Sequence, residues 1–280
     1  MNIDQKETGL ATAWNDVAGH AWVDLQAVLD RLFAPFEAML VDGAVARGAR
    51  RILDVSCGTG ATTLAMARTI GAAGHCTGID ISAPMIAAAR DRADREGANA
   101  TFLCADAQSH DFADTGFDRI VSRFGVMFFD DSVRAFANLR RAAADKARLH
   151  CIVWRGAEDN PFMTTAERAA APLLPNLPVR QPDEPGQFAF AEPARVQHML
   201  ETSGWRDIVI RPIDADCALP ERELVHYFTR LGPLGRALPE ADEQTRNRAI
   251  TAVRAAFEPY VQGDAVHFNA ACWSVEARAT

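Results

Sequence analysis

The fold is decided by the stretch Arg51-Ile-Leu-Asp-Val-Ser-Cys-Gly-Thr-Gly60 and by Ala61-Thr-Thr-Leu-Ala-Met-Ala67, which follows it directly. A short apolar run with β-branched residues is closed by Gly58 and Gly60, and then residues with helical spacing follow. The pattern predicts a strand, a tight glycine turn and a helix. Glycines let a ligand approach the backbone, and the unpaired N–H groups that begin a helix attract anionic groups. The stretch therefore predicts a site for a nucleotide-like ligand, although a plain connection between strand and helix gives a similar pattern.

Two further predicted strands each end near an acidic residue. Cys76-Thr-Gly-Ile-Asp80-Ile81 predicts the second strand, and Thr101-Phe-Leu-Cys-Ala-Asp106 predicts the third. Asp80 follows Gly58 by 22 positions, roughly the spacing at which an acid meets a ribose hydroxyl in nucleotide-binding folds. Ligands of open α/β sheets bind at the carboxyl ends of the strands, so we expect these acids to share one site.

These motifs resemble those of the class I S-adenosylmethionine-dependent methyltransferases. The turn Asp54-Val-Ser-Cys-Gly-Thr-Gly60, Asp80 and the pair Asp106-Ala107 match that family's cofactor-binding pattern in order and spacing. Within the family, the chain looks most similar to the group that includes the ubiquinone and menaquinone C-methyltransferases, over residues 10–155 above all. The resemblance implies S-adenosyl-L-methionine as the cofactor and a small-molecule acceptor with an O, N or C nucleophile.

The resemblance also implies roles for particular residues. Asp80 would bind the ribose hydroxyls, Asp106 would bind the adenine amino group beside a backbone contact from Ala107, and Asp54 would organise the turn and the methionine end. The implied cofactor-binding residues are Trp14, Asp54, Ser56, Gly58, Thr59, Gly60, Asp80, Ile81, Met85, Asp106, Ala107, Ser122, Arg123 and Phe124.

Two other functions stay open at this point. A nicotinamide-dependent oxidoreductase is disfavoured by Asp106 and by Thr63, which occupies the third glycine position of the G-x-G-x-x-G turn. A non-catalytic S-adenosylmethionine-binding module is disfavoured, but not excluded, by the apolar segment that follows the fifth predicted strand.

Methyl transfer is an in-line displacement and needs no fixed catalytic residue, but a hydroxyl or weakly acidic carbon nucleophile needs a proton acceptor. Histidine is the usual one near neutral pH, and His20 and His226 are the candidates, of which His20 is taken as the candidate catalytic residue. The aromatic faces of Trp14, Phe124 or Phe128 could stabilise the sulfonium by cation–π attraction.

Strands and helices alternate from residue 51 to 154, which predicts an α/β fold with a parallel sheet and right-handed crossovers. The predicted strands are 51–56, 76–81, 101–105, 117–122 and 147–154, followed by an antiparallel pair at 205–213 and 265–277. We therefore expect a Rossmann-like, doubly wound, mostly parallel sheet of seven strands, with helical inserts that cap the active face.

The predicted organisation has four parts. Residues 1–48 form an N-terminal helical cap of two helices, in which Trp14 faces the site and Trp22 packs in the core. Residues 49–154 and 187–280 form the Rossmann-like core. The proline-rich segment 155–186 leaves the fifth strand and is expected to be a lid, and residues 214–262 form a second helical insert.

Composition limits the partners. The net charge of −8 argues against nucleic acid, whose binding needs clustered Lys and Arg to displace counterions. None of the six cysteines forms a C-x-x-C pair or stands with histidine at metal spacing, so no metal site is predicted. The start of the sequence lacks an apolar leader and no stretch is long enough to span a membrane, which predicts a cytoplasmic protein. A homodimer is one alternative for its assembly.

Overall fold

The computed structural model describes residues 12, 14–46, 48–112, 116–178, 180 and 184–280. The first eleven residues of the predicted cap and residues 179 and 181–183 of the predicted lid lie outside these ranges. Before the first strand stand α1 (Val17–Asp24), α2 (Gln26–Leu32) and α3 (Ala34–Val45). Within residues 17–46 three helices thus stand where the sequence predicted two, and Pro35 lies in the first turn of α3, where a missing N–H costs nothing.

The parallel half of the sheet follows the predicted alternation. Its elements are β1 (Arg51–Val55), α4 (Ala61–Ile70), β2 (His75–Asp80), α5 (Ala83–Glu96), β3 (Ala100–Cys104), β4 (Phe117–Arg123), α6 (Ser132–Ala142) and β5 (Ala143–Trp154). Strand β5 begins directly after α6, four residues before the predicted start at residue 147. Lys146 takes a positive φ of 63°, at a point where the pairing of β5 with β4 is irregular.

The second half contains the inserts and the antiparallel strands. Its elements are α7 (Pro161–Ala170), α8 (Pro193–Thr202), β6 (Arg206–Pro220), α9 (Leu224–Arg230), α10 (Gly232–Ala237), α11 (Glu243–Ala256), β7 (Val261–Gln262) and β8 (Ala265–Arg278). Strand β6 runs to Pro220, so the second insert begins at residue 221 and not at 214. The reason is that Ala215, Cys217 and Leu219 are buried at every second position, as in a half-buried strand.

The strands lie in the order β3-β2-β1-β4-β5-β8-β6, and β7 pairs with β8. Strands β1 to β5 are parallel, while β8 runs antiparallel to both β5 and β6. The mostly parallel, doubly wound sheet is therefore confirmed, but in the part of the chain that the structure describes it has eight strands and not seven. The additional strand is β7, which has two residues and is too short to leave a periodic pattern in the sequence.

The strand order places the site. From β1 the chain winds outward through β2 to β3, and from β4 it winds the opposite way to β5, so right-handed crossovers put α4 and α5 on one face and α6 on the other. Both faces are covered, and β1 is buried from Ile52 to Val55. The winding direction changes between β1 and β4, where doubly wound sheets open a crevice at their carboxyl edge.

The segment after β5 is packed firmly against the sheet. Phe162 of α7 stacks on Phe268 of β8 with ring centroids 3.8 Å apart. The side chain of Asn160 donates to the carbonyl of Ala271 and accepts from its N–H, each at 2.9 Å. Helix α7 also packs against α11, so the two inserts form one layer. Within the described ranges, the helices are too short or too polar to cross a lipid bilayer.

Candidate active site

A cavity of about 100 Å³ lies at the carboxyl ends of β1, β2 and β3. It is lined by Trp14, Trp22, Ser56, Gly58, Ile79, Asp80, Ile81, Met85, Ala105, Asp106, Ala107, Arg123, Phe124, Gly125, Phe128 and Phe129. The lining residues from the first three strands are those that the sequence motifs predicted to share one site. The aromatic lining residues come from the cap and from the loop after β4.

The glycine turn after β1 allows a ligand to approach its backbone closely. Gly58 and Gly60 have φ angles of +56° and +84°, which side chains rarely allow. A Cβ on Gly60 would lie 2.9 Å from the ring of Phe102, so this glycine serves packing under the turn. A Cβ on Gly58 would meet only the sulfur of Met85, at 3.7 Å, so this glycine leaves the cavity side of the turn open to a ligand.

Asp80 ties the turn to the end of β2. One carboxylate oxygen accepts a 2.8 Å hydrogen bond from the N–H of Gly58, and the other accepts a 2.9 Å bond from the N–H of Ser82. The side chain is buried, and this burial raises its pKa even though both bonds oppose the change. Each carboxylate oxygen can accept a second hydrogen bond, so Asp80 can hold the turn and still bind ligand hydroxyls.

Asp106 organises the turn after β3 in the same way. Its carboxylate accepts from the N–H of Gln108 at 2.9 Å and from the hydroxyl of Ser109 at 3.0 Å. The neighbouring Ala107 is buried, and its carbonyl accepts a 3.0 Å bond from the side chain of Asn138. The chain beside Asp106 is therefore fixed where it borders the cavity.

Four of the predicted cofactor-binding residues lie behind the cavity and not in its wall: Asp54, Thr59, Gly60 and Ser122. Asp54 is buried in β1 and accepts a 2.6 Å hydrogen bond from the hydroxyl of Thr63 in α4. Burial raises its pKa to about 7, and the Thr63 bond limits the rise. The hydroxyl of Ser122 donates to the carbonyl of Val55 at 2.8 Å. These groups support the turn from below.

Arg123 brings a buried positive charge to the cavity. Its guanidinium donates to the carbonyl of Phe33 at 3.3 Å, and burial lowers its pKa although nearby Glu37 favours the charged form. The next residue, Phe124, takes a φ of +62° and stacks on Trp154 with ring centroids 4.4 Å apart. A non-glycine residue in this conformation is strained, and such strain concentrates at ligand sites.

The N-terminal cap is hydrogen-bonded to the chain next to Asp80. The side chain of Asn15 donates to the carbonyl of Ile81 at 3.2 Å and accepts from the N–H of Ala83 at 2.8 Å. The hydroxyl of Ser82 donates to the carbonyl of Trp14 at 2.6 Å. These bonds hold the Trp14 ring over the cavity, where it meets Phe128 edge to face at 5.3 Å.

His20, the candidate catalytic residue, lies outside both this cavity and the neighbouring one. Trp14, Ala18 and Trp22 are four positions apart and form the face of the cap that lines the cavities. His20 lies halfway between two of these residues in sequence, so the helix turns it towards solvent, where it is exposed. The geometry therefore does not place His20 beside a reacting group.

Sequence reasoning missed Ile79 and Ala105, and it assigned Trp22 to the core. Helical spacing of aromatic residues looks the same for a core face and for a cavity wall, so the sequence held no signal for Trp22. At Gly125 the structure leaves no room for a side chain, because a Cβ there would lie 2.2 Å from Cβ of Ser56.

A second, wider cavity of about 500 Å³ adjoins the first and shares Trp14, Trp22, Phe124 and Phe128 with it. Its other walls come from the cap, α7, the segment before α8, and α9 to α10. They are mostly aromatic or aliphatic and include Phe33, Met127, Trp154, Phe162, Met163, Phe188, Phe228, Leu234 and Phe257. This cavity suits an apolar molecule next to the ligand of the first.

Comparison with known proteins identifies the domain. Residues 52–146 match the methyltransferase domain family. The chain is 37% identical over 109 residues to the demethylmenaquinone methyltransferase of Thermus thermophilus, covering 39% of this chain and 49% of that protein. It is 35% identical over 106 residues to the aklanonic acid methyltransferase of a Streptomyces species, covering 38% and 48%.

The fold extends beyond the matched domain. The magnesium protoporphyrin IX methyltransferase of Synechocystis PCC 6803 superposes with a TM-score of 0.57 at 13% identity, over 97% of this chain and 98% of that one. At this identity the likeness shows the fold alone. The chain spans about half the length of the two sequence relatives. Residues 52–146 thus carry a methyltransferase domain, and the relatives matched there include a demethylmenaquinone methyltransferase.

Proposed function

We propose that this chain, through its methyltransferase domain, transfers a methyl group from S-adenosyl-L-methionine to a small-molecule acceptor. The observation that carries the proposal is the pair of adjoining cavities. The narrow one, beside Gly58, Asp80 and Asp106, suits an adenosyl group, and the wide apolar one suits an acceptor. Trp14 and Phe128 stand between them.

The residues of the narrow cavity fit the cofactor. Gly58 leaves space beside the turn, Asp80 and Asp106 offer carboxylate oxygens for ribose and adenine, and Arg123 offers a cation for the methionine carboxylate. A cavity of about 100 Å³ is smaller than ordinary ligand sites of roughly 300–1,000 Å³. The rings of Trp14 and Phe128 must therefore move when the cofactor enters.

Methyl transfer requires little of the protein beyond orientation of the acceptor and the cofactor. When bound, S-adenosylmethionine supplies the methyl group: the acceptor's lone pair forms the new bond to carbon as the C–S electron pair returns to sulfur, giving S-adenosylhomocysteine. The cap and the inserts hold the acceptor in line and exclude water. The aromatic faces of Trp14 and Phe128 favour the sulfonium charge by about 1–2 kcal/mol.

The proton of the acceptor has no histidine to receive it. Among the described residues, those that line the two cavities include no histidine. The side chains of these walls that can accept a proton are the carboxylates of Asp80, Asp106, Glu167 and Glu184. Water is the other proton acceptor, which favours methyl acceptors that are already acidic, such as phenols, enols or carboxylic acids. The names of the two sequence relatives, a demethylmenaquinone methyltransferase and an aklanonic acid methyltransferase, support a small organic molecule as the acceptor.

The test is calorimetry followed by turnover. S-adenosylhomocysteine is expected to bind the purified chain and NADH is not, and S-adenosylhomocysteine should be released from S-adenosylmethionine with some member of a panel of phenols, quinols, amines and keto acids. Binding of NADH with no binding of S-adenosylhomocysteine would reverse the assignment in favour of an oxidoreductase. Cofactor binding without turnover on any acceptor would favour the non-catalytic binding module.

We also propose roles for the cap and the inserts, and a cellular location for the protein. Residues 14–46 would act as a cap on the cofactor, and the segments 155–186 and 221–260 as one cover over the acceptor. The six unpaired thiols support a cytoplasmic location. The net charge of −8 supports small molecules over nucleic acid as acceptors, whether the chain acts as a monomer or as a homodimer.

A further inference from the structure

Among the residues that the structure describes, the charged ones in the wall of the wide cavity are Glu167, Arg180, Glu184, Arg230 and Arg236. Arginines therefore outnumber carboxylates in this wall, although the chain as a whole has a net charge of −8. Which of these charges are neutralised by a partner decides what kind of ligand the wall can attract.

Two of the arginines are neutralised within the chain. Arg180 binds Glu167 through two nitrogens, with Nε 2.9 Å and 3.1 Å from the two carboxylate oxygens. The same guanidinium lies over the ring of Phe188, 5.3 Å from its centroid. Arg230 forms an ion pair with Asp24 of the cap. These pairs leave no net charge at either position.

Arg236 is different. Among the described residues, no hydrogen-bond or ion-pair partner of its guanidinium is found, and Glu184, the remaining carboxylate of the wall, is exposed and lies outside ion-pair distance. Partial burial and the nearby charge of Arg180 lower the pKa of Arg236, and Glu167 opposes the change. Arg236 is exposed at the rim of the cavity, and within the described ranges its guanidinium has no ion-pair partner of its own.

We propose that the wide cavity takes a ring-bearing acceptor with one carboxylate, which Arg236 binds at the rim while the rings lie against the aromatic wall. The inference rests on the proposed function and narrows its acceptor class. Three features support it: the unpartnered cation, the neutral Arg180–Glu167 pair beside it, and the aromatic side chains that continue inward from Phe188.

The test compares two probes that differ only in charge, 1-hydroxy-2-naphthoate and its neutral amide, by calorimetry on the full chain saturated with S-adenosylhomocysteine. The carboxylate should bind at least about fivefold more tightly than the amide, as a charge-assisted hydrogen bond at a partly exposed site provides. Arg236→Gln should remove that preference and leave the affinity for the amide unchanged. Added NaCl should weaken only the carboxylate.

Arg222→Gln is the matched control, because Arg222 precedes α9 in the same insert and is 78% exposed, outside the cavity. It should keep the preference. Equal binding of the two probes by the parent chain, or a preference retained in Arg236→Gln, overturns the inference, as does the absence of binding by either probe at about 1 mM. If Arg236→Gln does not fold, Arg236→Lys and the salt series on the parent chain replace it. A preference for the carboxylate that does not change with salt also overturns the inference.

Titration of S-adenosylhomocysteine alone into the parent chain separates this inference from the function on which it rests. If S-adenosylhomocysteine does not bind, the proposed function fails. If it binds and the carboxylate has no advantage, only the acceptor class is wrong.

Discussion

The hydroxyl of Thr63 donates a 2.6 Å hydrogen bond to the carboxylate of Asp54, which joins the first turn of α4 to β1 beneath the glycine turn. Thr63 stands where nicotinamide-binding turns carry their third glycine. Thr63, which departs from the dinucleotide motif, is thus the hydrogen-bond partner of Asp54, the acid that precedes the turn. Because Asp54 is buried, its pKa is about 7 in the folded chain against an ordinary value of 3.8.

Asp54 should make the stability of the protein depend on pH. Between pH 4 and 7 the folded chain holds a proton on Asp54 that the unfolded chain has lost. The contribution of Asp54 to the free energy of unfolding is therefore greatest below the unfolded pKa, and it falls as the pH rises to the folded pKa. As the pH rises from 4 to 7, the free energy of unfolding of the parent should therefore fall by a few kcal/mol relative to that of Asp54→Asn, as measured by urea unfolding. Asp91→Asn, at an exposed position on α5, is the control, and parallel curves for parent and Asp54→Asn would show that the burial is not costly.

Asp80→Ala should weaken the binding of S-adenosylhomocysteine about ten- to a hundredfold, because it removes the acceptor for the ligand and leaves the N–H groups of Gly58 and Ser82 unpaired. Calorimetry gives the affinity, and circular dichroism shows whether the chain is folded. Asp94→Asn on the exposed side of α5 should bind as the parent does. Affinity within about twofold of the parent in a folded Asp80→Ala chain would remove Asp80 from the binding site.

Gly19→Ala should detach the cap without unfolding the sheet. A Cβ at this position would lie 2.1 Å from the carbonyl oxygen of Trp14 and 2.7 Å from the hydroxyl of Ser82, so α1 cannot keep its place on α5. We expect the affinity for S-adenosylhomocysteine to fall at least about fivefold, with the main unfolding transition retained. Gly43→Ala in α3 makes the same change where the nearest atom belongs to the movable ring of His150, at 3.3 Å. Loss of affinity in both variants alike would point to a general effect of the substitution.

Phe162→Ala should destabilise the protein by about 3–5 kcal/mol, because Phe162 is 2% exposed and packs between Phe268 and Phe257. Urea unfolding measures the loss. Val225→Ala on α9, at 38% exposure, should change stability by less than about 0.5 kcal/mol. If Phe162→Ala costs no more than this control, the segment after β5 is not part of the core. Replacement of the whole stretch 160–186 by a flexible linker would expose this core, so point variants are the better test of a cover.

The sequence predicted the parallel half of the sheet well because its signals are local. Each strand there is a short apolar run, each turn carries glycine or aspartate, and Asp80 and Asp106 follow strands whose carboxyl ends must meet. The antiparallel half was predicted less well. The predicted strand ended at Ile213, whereas β6 continues to Pro220. Aspartate is disfavoured in strands, and pairing of Asp214 and Asp216 with β8 outweighs that preference.

The side chains that face the cavity were harder to predict than the elements that carry them. Asp54 and Ser122 belong to the family pattern, yet their side chains point into the scaffold, where Thr63 and the carbonyl of Val55 bind them. Trp22 faces the cavity only because α1 lies against α5 through Gly19, a contact between elements far apart in sequence. Such long-range packing leaves no periodic signal.

Asn15 binds the chain on both sides of Ser82, within three residues of Asp80, so the cap and the proposed nucleoside site share one short piece of backbone. Under the proposed function, the product S-adenosylhomocysteine would leave past Trp14, which lines the cavity next to these bonds. We expect its exit to be coupled to loosening of the cap, so that the dissociation rate, more than the displacement itself, would limit repeated turnover. A weakened Asn15 anchor would then raise the maximal rate while it lowers affinity.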